Sequence, residues 1–204
     1  MTIKFAIITC SDTRTLETDE AGQKLEQLIA EQGWECVRRV VEMDERPFIA
    51  GALIDACDNT DADIVLTCGG SGLSLRGVTP EATRDVADRE VPGIAEAMRA
   101  HSVAITPFAM LSRAICAQRG HTLIINLPGS TKAATENWEG IVEALPHAVK
   151  MMAGEGHSTQ KDLSEKLAAA AARDGKRVMV VGCDPKADST RTLMGGEAIP
   201  TVLD

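Results

Sequence analysis

The chain has 204 residues, enough for one ordinary domain with an appendage or for one large domain. Its net charge of −9, without any run or stripe of basic residues, argues against non-specific binding of nucleic acid, which depends on Lys and Arg beside phosphates. With no apolar run of membrane-spanning length and no signal peptide at its start, the sequence predicts a cytoplasmic protein that does not act in a membrane.

Short apolar runs and longer periodic segments alternate along the chain. Runs that are rich in β-branched residues and bounded by polar residues or glycine predict buried strands. The predicted strands cover residues 5–9, 35–41, 63–67 and 122–126. Apolar residues at helical spacing, often with Pro in the first turn, predict helices. The predicted helices cover residues 19–32, 47–57, 92–100, 107–117 and 132–152, and one more begins near residues 79–82. This alternation predicts an α/β sheet that is covered by helices on both faces.

Three segments follow predicted strands directly. They are the pair Ser11 and Asp12, the glycine-rich turn at residues 68–72, and the turn at residues 127–130. In sheets of this kind, ligands bind beyond the carboxyl ends of the strands. We therefore expect the three segments to meet at one binding site.

Each candidate motif also has a plain structural interpretation. The turn at 68–72 either brings backbone N–H groups close to a phosphate or is a tight turn without a ligand. Thr79, which precedes a Pro, suits ordinary helix capping. Ser130 either helps to hold an anion at a helix start or only caps that helix. Asp44 lies in the acidic run 42–45, and such runs are usually solvated surface.

Six segments, taken together and in this order, are similar to the pattern of one family. They are residues 10–14, 67–72, 78–83, 88–93, 111–113 and 127–130. From residue 1 to about residue 153, the chain therefore resembles the MogA/MoaB family of molybdopterin-binding proteins, which act in molybdenum cofactor biosynthesis. The resemblance implies a three-layer α/β sandwich with a mostly parallel sheet, assembled as a homotrimer or a homohexamer.

The resemblance also implies an activity. MogA-like members adenylylate molybdopterin: they need Mg²⁺, use ATP, release pyrophosphate and leave an AMP-activated pterin for metal insertion. A molybdenum-insertion protein is therefore an expected partner. Transfer of this kind depends on positioning and charge neutralisation more than on a covalent nucleophile.

Individual residues take their implied roles from the family pattern. Asp44 matches a family carboxylate implicated in handling Mg²⁺, and Glu81 is the second candidate catalytic carboxylate. The glycine-rich turn is expected to cradle phosphate through backbone groups, and Ser130 with neighbouring amides is expected to hold the pterin end. The implied substrate-binding residues are Ser11, Asp12, Thr67, Gly69, Gly70, Ser71, Gly72, Ser112, Pro128, Gly129 and Ser130.

The chain departs from the family pattern at Gly77. Active members typically carry Asp at this position, just before Val-Thr-Pro. Mg²⁺ is often held by only one or two carboxylates together with substrate phosphates, so Asp44 with Glu81 either suffices or leaves catalysis badly weakened. A non-catalytic molybdopterin-binding or scaffold protein is therefore the alternative hypothesis.

The composition changes in the tail, residues 154–204. Residues 158–204 carry seven basic and seven acidic side chains, and they include one predicted helix, 162–173, and one predicted strand, 177–181. This is too little surface to fold alone, so a partial α/β tail is expected.

The tail resembles a fragment of the nitrogenase iron protein family, over residues 175–191 and again towards the end of the chain. It lacks the Lys of a complete P-loop and the family's later cluster cysteines. The resemblance therefore predicts neither ATP hydrolysis nor an iron–sulfur cluster for the tail by itself. Three interpretations stay open: a fusion that links cofactor synthesis to a nitrogenase system as an adaptor, a docking element, and a fusion remnant.

Overall fold

The computed structural model of the chain describes residues 2–154, in which strands and helices alternate along the first half. The strands are β1 (Lys4–Cys10), β2 (Glu35–Glu42), β3 (Ile64–Cys68), β4 (Arg89–Glu90), β5 (Cys116–Arg119) and β6 (Thr122–Leu127). The α-helices are α1 (Glu20–Glu31), α2 (Arg46–Asp58), α3 (Thr79–Val86), α4 (Pro92–Val103), α5 (Thr131–Glu139) and α6 (Leu145–Met152). Short 3₁₀ helices occupy Pro107–Leu111 and Val142–Ala144.

The strands form one sheet in the order β2-β1-β3-β6-β5-β4. The first four strands run parallel, and β5 and β4 are antiparallel to their neighbours. The register places Leu66 of β3 between Ile7 of β1 and Ile125 of β6, in the middle of the sheet. The predicted mostly parallel α/β sheet is therefore confirmed.

Alternate residues of β1 pack on opposite faces of the sheet, as the two-residue period of a strand requires. Phe5 and Ile7 belong to the core under α1, α4, α5 and α6, whereas Ala6 and Ile8 belong to the core under α2 and α3. Phe5 lies 5.5 Å from the ring of Trp34 and 5.8 Å from the ring of Trp138. Helices thus cover both faces, and the three-layer arrangement is confirmed.

The predicted helix at residues 107–117 is wrong. Only Pro107–Leu111 is helical, as a 3₁₀ helix without buried residues, and the chain then forms β5. Cys116 and Ala117 are buried because they pair with β6 across a tight hairpin, in which Gly120 has a positive φ of 55°. Pairing of β5 with β6 and β4 therefore overrode a short apolar run whose spacing alone cannot separate a helix from a strand.

The predicted single helix at residues 132–152 is also wrong, because it divides into α5 and α6. Gly140 caps the end of α5, and Pro146 stands at the start of α6. Pro has no backbone N–H and its ring clashes with the carbonyl four residues earlier, so a continuous helix through Pro146 is unfavourable. The break still lets Trp138 and Leu145 enter the same core.

The described part of the chain contains no helix long and apolar enough to cross a membrane. The helix predicted at 162–173, the strand predicted at 177–181 and the segments that resemble the nitrogenase iron protein lie outside the described residues.

Candidate functional site

Four parallel strands end at one edge of the sheet, and their loops pack backbone against backbone. The Gly69 amide donates to the carbonyl oxygen of Leu127 at 3.0 Å, which joins the loops after β3 and β6. Gly69 has a φ of +113°, and a β-carbon placed on it would lie 2.5 Å from the carbonyl oxygen of Cys10. A β-carbon on Gly129 would lie 3.2 Å from the Gly69 Cα. These contacts require glycine and hold the three loops together.

A cavity of about 480 Å³ lies beside these loops, between α4, α5 and the 3₁₀ helix Pro107–Leu111. This volume is in the range of small-molecule sites. Seven of the predicted substrate-binding residues line it: Gly69, Gly70, Ser71, Gly72, Ser112, Pro128 and Gly129. The predicted convergence of the glycine-rich turn with the turn after β6 therefore matches the geometry.

Other predicted residues do not line this cavity. Thr67 is fully buried, and its hydroxyl accepts a hydrogen bond from Asn126 Nδ2 at 3.0 Å, so it supports the site from below. Ser130 caps α5 by accepting from the Ala133 amide at 3.2 Å, in agreement with its plain structural interpretation. Ser11 accepts hydrogen bonds from two nearby backbone amides in its own turn. Within the described residues, the side chains of Thr67, Ser130 and Ser11 therefore make hydrogen bonds that hold the backbone of the site in place.

Sequence reasoning missed two charged residues of the cavity wall. Glu136 on α5 and Arg99 on α4 are the charged side chains among the described lining residues. Arg99 donates to the carbonyl oxygen of Ala114 at 2.8 Å. Glu136 lies less than two turns after the predicted anchor Ser130, so helical geometry could have indicated it. Arg99 lies in a helix without any motif, and no local signal marks it.

Asp44 lies in a second group of charged residues, formed by the loops after β1 and β2. Its backbone amide donates to Asp12 Oδ1 at 3.1 Å, and Arg76 bridges Asp12 Oδ2 at 2.6 Å and Glu45 Oε1 at 2.8 Å. Burial and the neighbouring charge of Asp12 raise the pKa of Asp44. The hydrogen bond from Arg76 lowers the pKa of Asp12. The pKa values of these two neighbouring carboxyl groups are thus shifted in opposite directions, an arrangement typical of functional sites.

Three buried side-chain oxygens within residues 2–154 have no hydrogen-bond partner: Asp44 Oδ1, Thr79 Oγ1 and Glu81 Oε2. The first two flank Gly70. A β-carbon placed on Gly70 would lie 2.2 Å from Thr79 Oγ1 and 3.2 Å from Asp44 Oδ1. An unpaired buried polar group costs about 1–3 kcal/mol, so this pair of oxygens is well suited to receive a ligand.

Oxygen donors of this type suit Mg²⁺. The described residues contain no group of three or more His, Cys, Asp or Glu side chains that could hold a metal. Mg²⁺, however, is usually bound by one or two carboxylates together with substrate phosphates. Asp44 with the hydroxyl of Thr79 therefore fits a Mg²⁺ ion that also binds a phosphorylated substrate.

Arg113 connects the glycine-rich turn to the start of α3. Its amide donates to the carbonyl oxygen of Ser71 at 2.9 Å, and its Nε donates to that of Gly72 at 2.7 Å. The rest of the guanidinium donates to Glu81 and to the carbonyl oxygen of Gly77. Glu81, predicted to be catalytic, is thus engaged in an ion pair. Arg113 was part of a family motif, but its role in fixing the loop needed the structure.

Comparison with known proteins bears on this site. A family model described as "Probable molybdopterin binding domain" matches residues 6–147. A second model, described as "4Fe-4S iron sulfur cluster binding proteins, NifH/frxC family", matches residues 148–204, which agrees with the predicted resemblance of the tail.

Relatives and solved structures agree with the first match. The chain is 36% identical to a molybdopterin adenylyltransferase of Helicobacter pylori, over 75% of this chain and 89% of that protein. The chain is also 37% identical to the molybdenum cofactor synthesis protein cinnamon of Drosophila melanogaster. This match covers 80% of the chain but only 28% of the cinnamon protein. The crystal structure of the molybdopterin biosynthesis enzyme MoaB from Thermus thermophilus is similar with a TM-score of 0.69 and 40% identity, over 75% of this chain and 98% of that one.

Proposed function

This chain belongs to the molybdopterin-binding domain family, and on that premise we propose that it transfers AMP from ATP to molybdopterin in molybdenum cofactor biosynthesis. The observation that carries the proposal is the cavity at the carboxyl edge of the sheet, where glycine backbone lines one side and where two oxygens without a hydrogen-bond partner among residues 2–154 flank Gly70. This combination suits a substrate with an apolar ring and a phosphate group.

The proposed reaction is a phosphoryl-type substitution. An oxygen of the molybdopterin phosphate attacks the α-phosphorus of ATP, a new P–O–P link forms, and the bond to the pyrophosphate leaving group breaks. The attacking phosphate is already ionised, so no general base is required. The backbone amides of residues 70–72 would bind phosphate oxygens, and the packing of Gly69 against Gly129 holds this cradle rigid.

Magnesium enters the proposal as the ion that neutralises charge on the phosphates when it is bound. Asp44 and Thr79 would hold it, because their buried oxygens have no partner within residues 2–154. Glu81 would act through Arg113, which it pairs with, and would thereby keep the glycine-rich turn in position. Ser11, Asp12 and Ser130 remain proposed substrate contacts at the rim.

Assembly and location are also proposals. Leu75 and Met110 expose 101% and 64% of their surface, and we propose that contacts between subunits cover them. The homotrimer or homohexamer that the family resemblance implies stays a prediction. A molybdenum-insertion protein as partner, and a cytoplasmic location, stay predictions.

The division of the chain into two domains is a proposal as well. We assign residues 1–153 to the pterin-binding domain and residues 154–204 to a tail that resembles part of the nitrogenase iron protein. The two family models meet near this boundary, at residues 147 and 148, which supports the division. The adaptor, docking and remnant interpretations of the tail all remain open.

The proposed function predicts that the purified chain releases pyrophosphate when molybdopterin, ATP and Mg²⁺ are all present. Turnover should disappear when either the pterin or the metal is left out, because the nucleophile or the charge neutralisation is then missing. Pyrophosphate release and the AMP-linked pterin would be measured together. Pyrophosphate that appears without AMP on the pterin would contradict the proposal.

Gly77 favours the second candidate function, a molybdopterin-binding protein without catalysis. A β-carbon on Gly77 would lie 3.0 Å from the carbonyl oxygen of Gly70 and 3.2 Å from that of Ser74. The chain is therefore packed tightly where active family members typically carry Asp. Under this alternative, the protein binds the pterin in the same cavity and releases it unchanged.

Replacing Gly77 by Asp, with Gly77→Ala as the matched control, separates the two functions. Crowding against Gly70 should lower the free energy of unfolding by about 1–2 kcal/mol in both variants. If a metal ligand has been lost at this position, Gly77→Asp should turn over at least about tenfold faster than Gly77→Ala at limiting Mg²⁺. Equal turnover of the two variants would show that a carboxylate here contributes nothing to the metal.

A further inference from the structure

The cavity contains one carboxylate that the proposed reaction does not use. Glu136 lines the wall on α5, and its side chain is only 15% exposed. Its nearest cation among residues 2–154 is Lys132 Nζ, at 3.8 Å, which is too long for a hydrogen bond and is itself 85% exposed. The carboxylate oxygens of Glu136 can therefore accept hydrogen bonds from a ligand in the cavity.

Neighbouring groups hold the α5 backbone around Glu136 in place, and within residues 2–154 none donates a hydrogen bond to its carboxylate. The next residue, Asn137, donates through Nδ2 to Ser102 Oγ at 3.1 Å and to the carbonyl oxygen of Ala133 at 2.8 Å. Arg99, the basic residue of the wall, donates to the carbonyl oxygen of Ala114 and makes no ion pair with Glu136 within the described residues. The position of Glu136 on α5 is thus fixed, and its carboxylate can accept hydrogen bonds from a ligand in the cavity.

The chemistry of a carboxylate selects the ligand group that fits. An ionised carboxylate only accepts hydrogen bonds, and its two oxygens match two parallel N–H donors. The aminopyrimidinone edge of a pterin presents such a pair, the ring N3–H and the 2-amino group. The corresponding edge of adenine presents one donor and one acceptor, which a carboxylate cannot satisfy.

We propose that Glu136 recognises the N3–H and 2-amino edge of the pterin ring and thereby selects a pterin over adenine at this end of the cavity. The inference rests on the proposed function, since it assigns the ring of the same substrate. Leu73 and Phe108 line the cavity as well and offer apolar surface to a flat ring. The glycine-rich turn lies on the same cavity and receives the phosphate.

Binding of neopterin monophosphate, followed by quenching of the pterin fluorescence, tests this assignment. Glu136→Gln should weaken binding about tenfold or more, because one donor pair loses its charged acceptor. Glu136→Asp, which keeps the charge on a shorter stem, should fall between Glu136→Gln and the wild type. Glu139→Gln, which removes an exposed charge from the same helix, is the matched control and should bind as the wild type does.

The 2-oxo (lumazine) counterpart of the probe adds a readout that a merely structural role would not change. The wild type should prefer the pterin compound about tenfold or more over this counterpart, and Glu136→Gln should lose the preference. Equal binding of both compounds by the wild type, no binding of either, or unchanged binding by Glu136→Gln would overturn the assignment. Absence of AMP transfer in the wild type, with the pterin preference intact, would instead overturn only the proposed reaction.

Discussion

Replacing Asp44 by Asn is expected to lower pyrophosphate release from ATP and molybdopterin by at least about 100-fold. The buried Oδ1 of Asp44 has no hydrogen-bond partner within residues 2–154 and faces the space beside Gly70 with the hydroxyl of Thr79. An amide keeps the shape of the side chain but loses the charge that a Mg²⁺ ion needs. Steady-state rates across a Mg²⁺ titration would measure the effect, which higher Mg²⁺ should partly reverse.

The thermal stability of Asp44→Asn distinguishes a loss of activity at the site from misfolding of the variant. Burial and the charge of Asp12 raise the pKa of Asp44 in the folded protein, so its ionisation opposes folding once the pH exceeds the unfolded value. Asp44→Asn should therefore unfold at the same or a higher temperature at neutral pH, and the difference should vanish in acid. Asp55→Asn, which removes an exposed carboxylate paired with Arg38, is the matched control for turnover. Comparable activity of both variants would remove Asp44 from the site.

The raised pKa of Asp44 also predicts a pH dependence of activity. The metal binds the ionised carboxylate, so kcat/KM of the wild type should fall as the pH decreases. This acidic limb should lie at a higher pH than the ordinary pKa of a solvated aspartate. Saturating Mg²⁺ should move the limb to lower pH, because the cation competes with the proton.

Replacing Arg113 by Met is expected to lower the free energy of unfolding by about 2–3 kcal/mol, after allowance for its partial exposure. The change removes the donors to Gly72 and Gly77 and leaves Glu81 without its partner. The glycine-rich turn should then become less ordered, and the KM for molybdopterin should rise more than kcat falls. Urea unfolding and steady-state kinetics would measure the two effects.

Arg84→Met is the matched control for this change. Arg84 forms an exposed ion pair with Glu90 at 2.8 Å, and such pairs contribute less than about 1 kcal/mol. Both substitutions remove one guanidinium that is paired with a glutamate. Equal destabilisation by Arg113→Met and Arg84→Met would show that the hydrogen bonds from Arg113 to the glycine-rich turn do not stabilise the fold.

Three of the parallel strands, β1, β3 and β6, could be predicted from the sequence because they are buried on both faces. Residues 64–66 of β3, for example, are all apolar, so local pattern and tertiary burial agree. The two antiparallel strands, β4 and β5, were missed for the opposite reason. Arg89–Glu90 has two exposed residues and no periodicity, and Cys116–Arg119 became a strand only through its pairing with β6.

The parts of the site that are formed by the backbone could be predicted from the sequence. The turns at 68–72 and 127–130 carry glycines that permit a close approach of chains, and this requirement is visible in the sequence. Arg99 was missed because nothing in the sequence shows which face of α4 borders the cavity, whereas the spacing of Glu136 after Ser130 could have indicated that residue. The oxygens of Asp44 and Thr79 that lack a hydrogen-bond partner in the described part of the chain likewise needed coordinates, since an unsatisfied atom is defined only by its surroundings.

The hydrogen bond from the Gly69 amide to Leu127 joins loops that follow the two central strands β3 and β6. The bond lies at the end of the β3–β6 ladder, next to the last paired residues, Cys68 and Leu127, so its amide hydrogen should exchange with solvent when that end of the ladder opens. A ligand that binds this turn stabilises the folded state and should therefore slow this exchange. Occupancy of the binding site and opening of the sheet at this edge are therefore coupled.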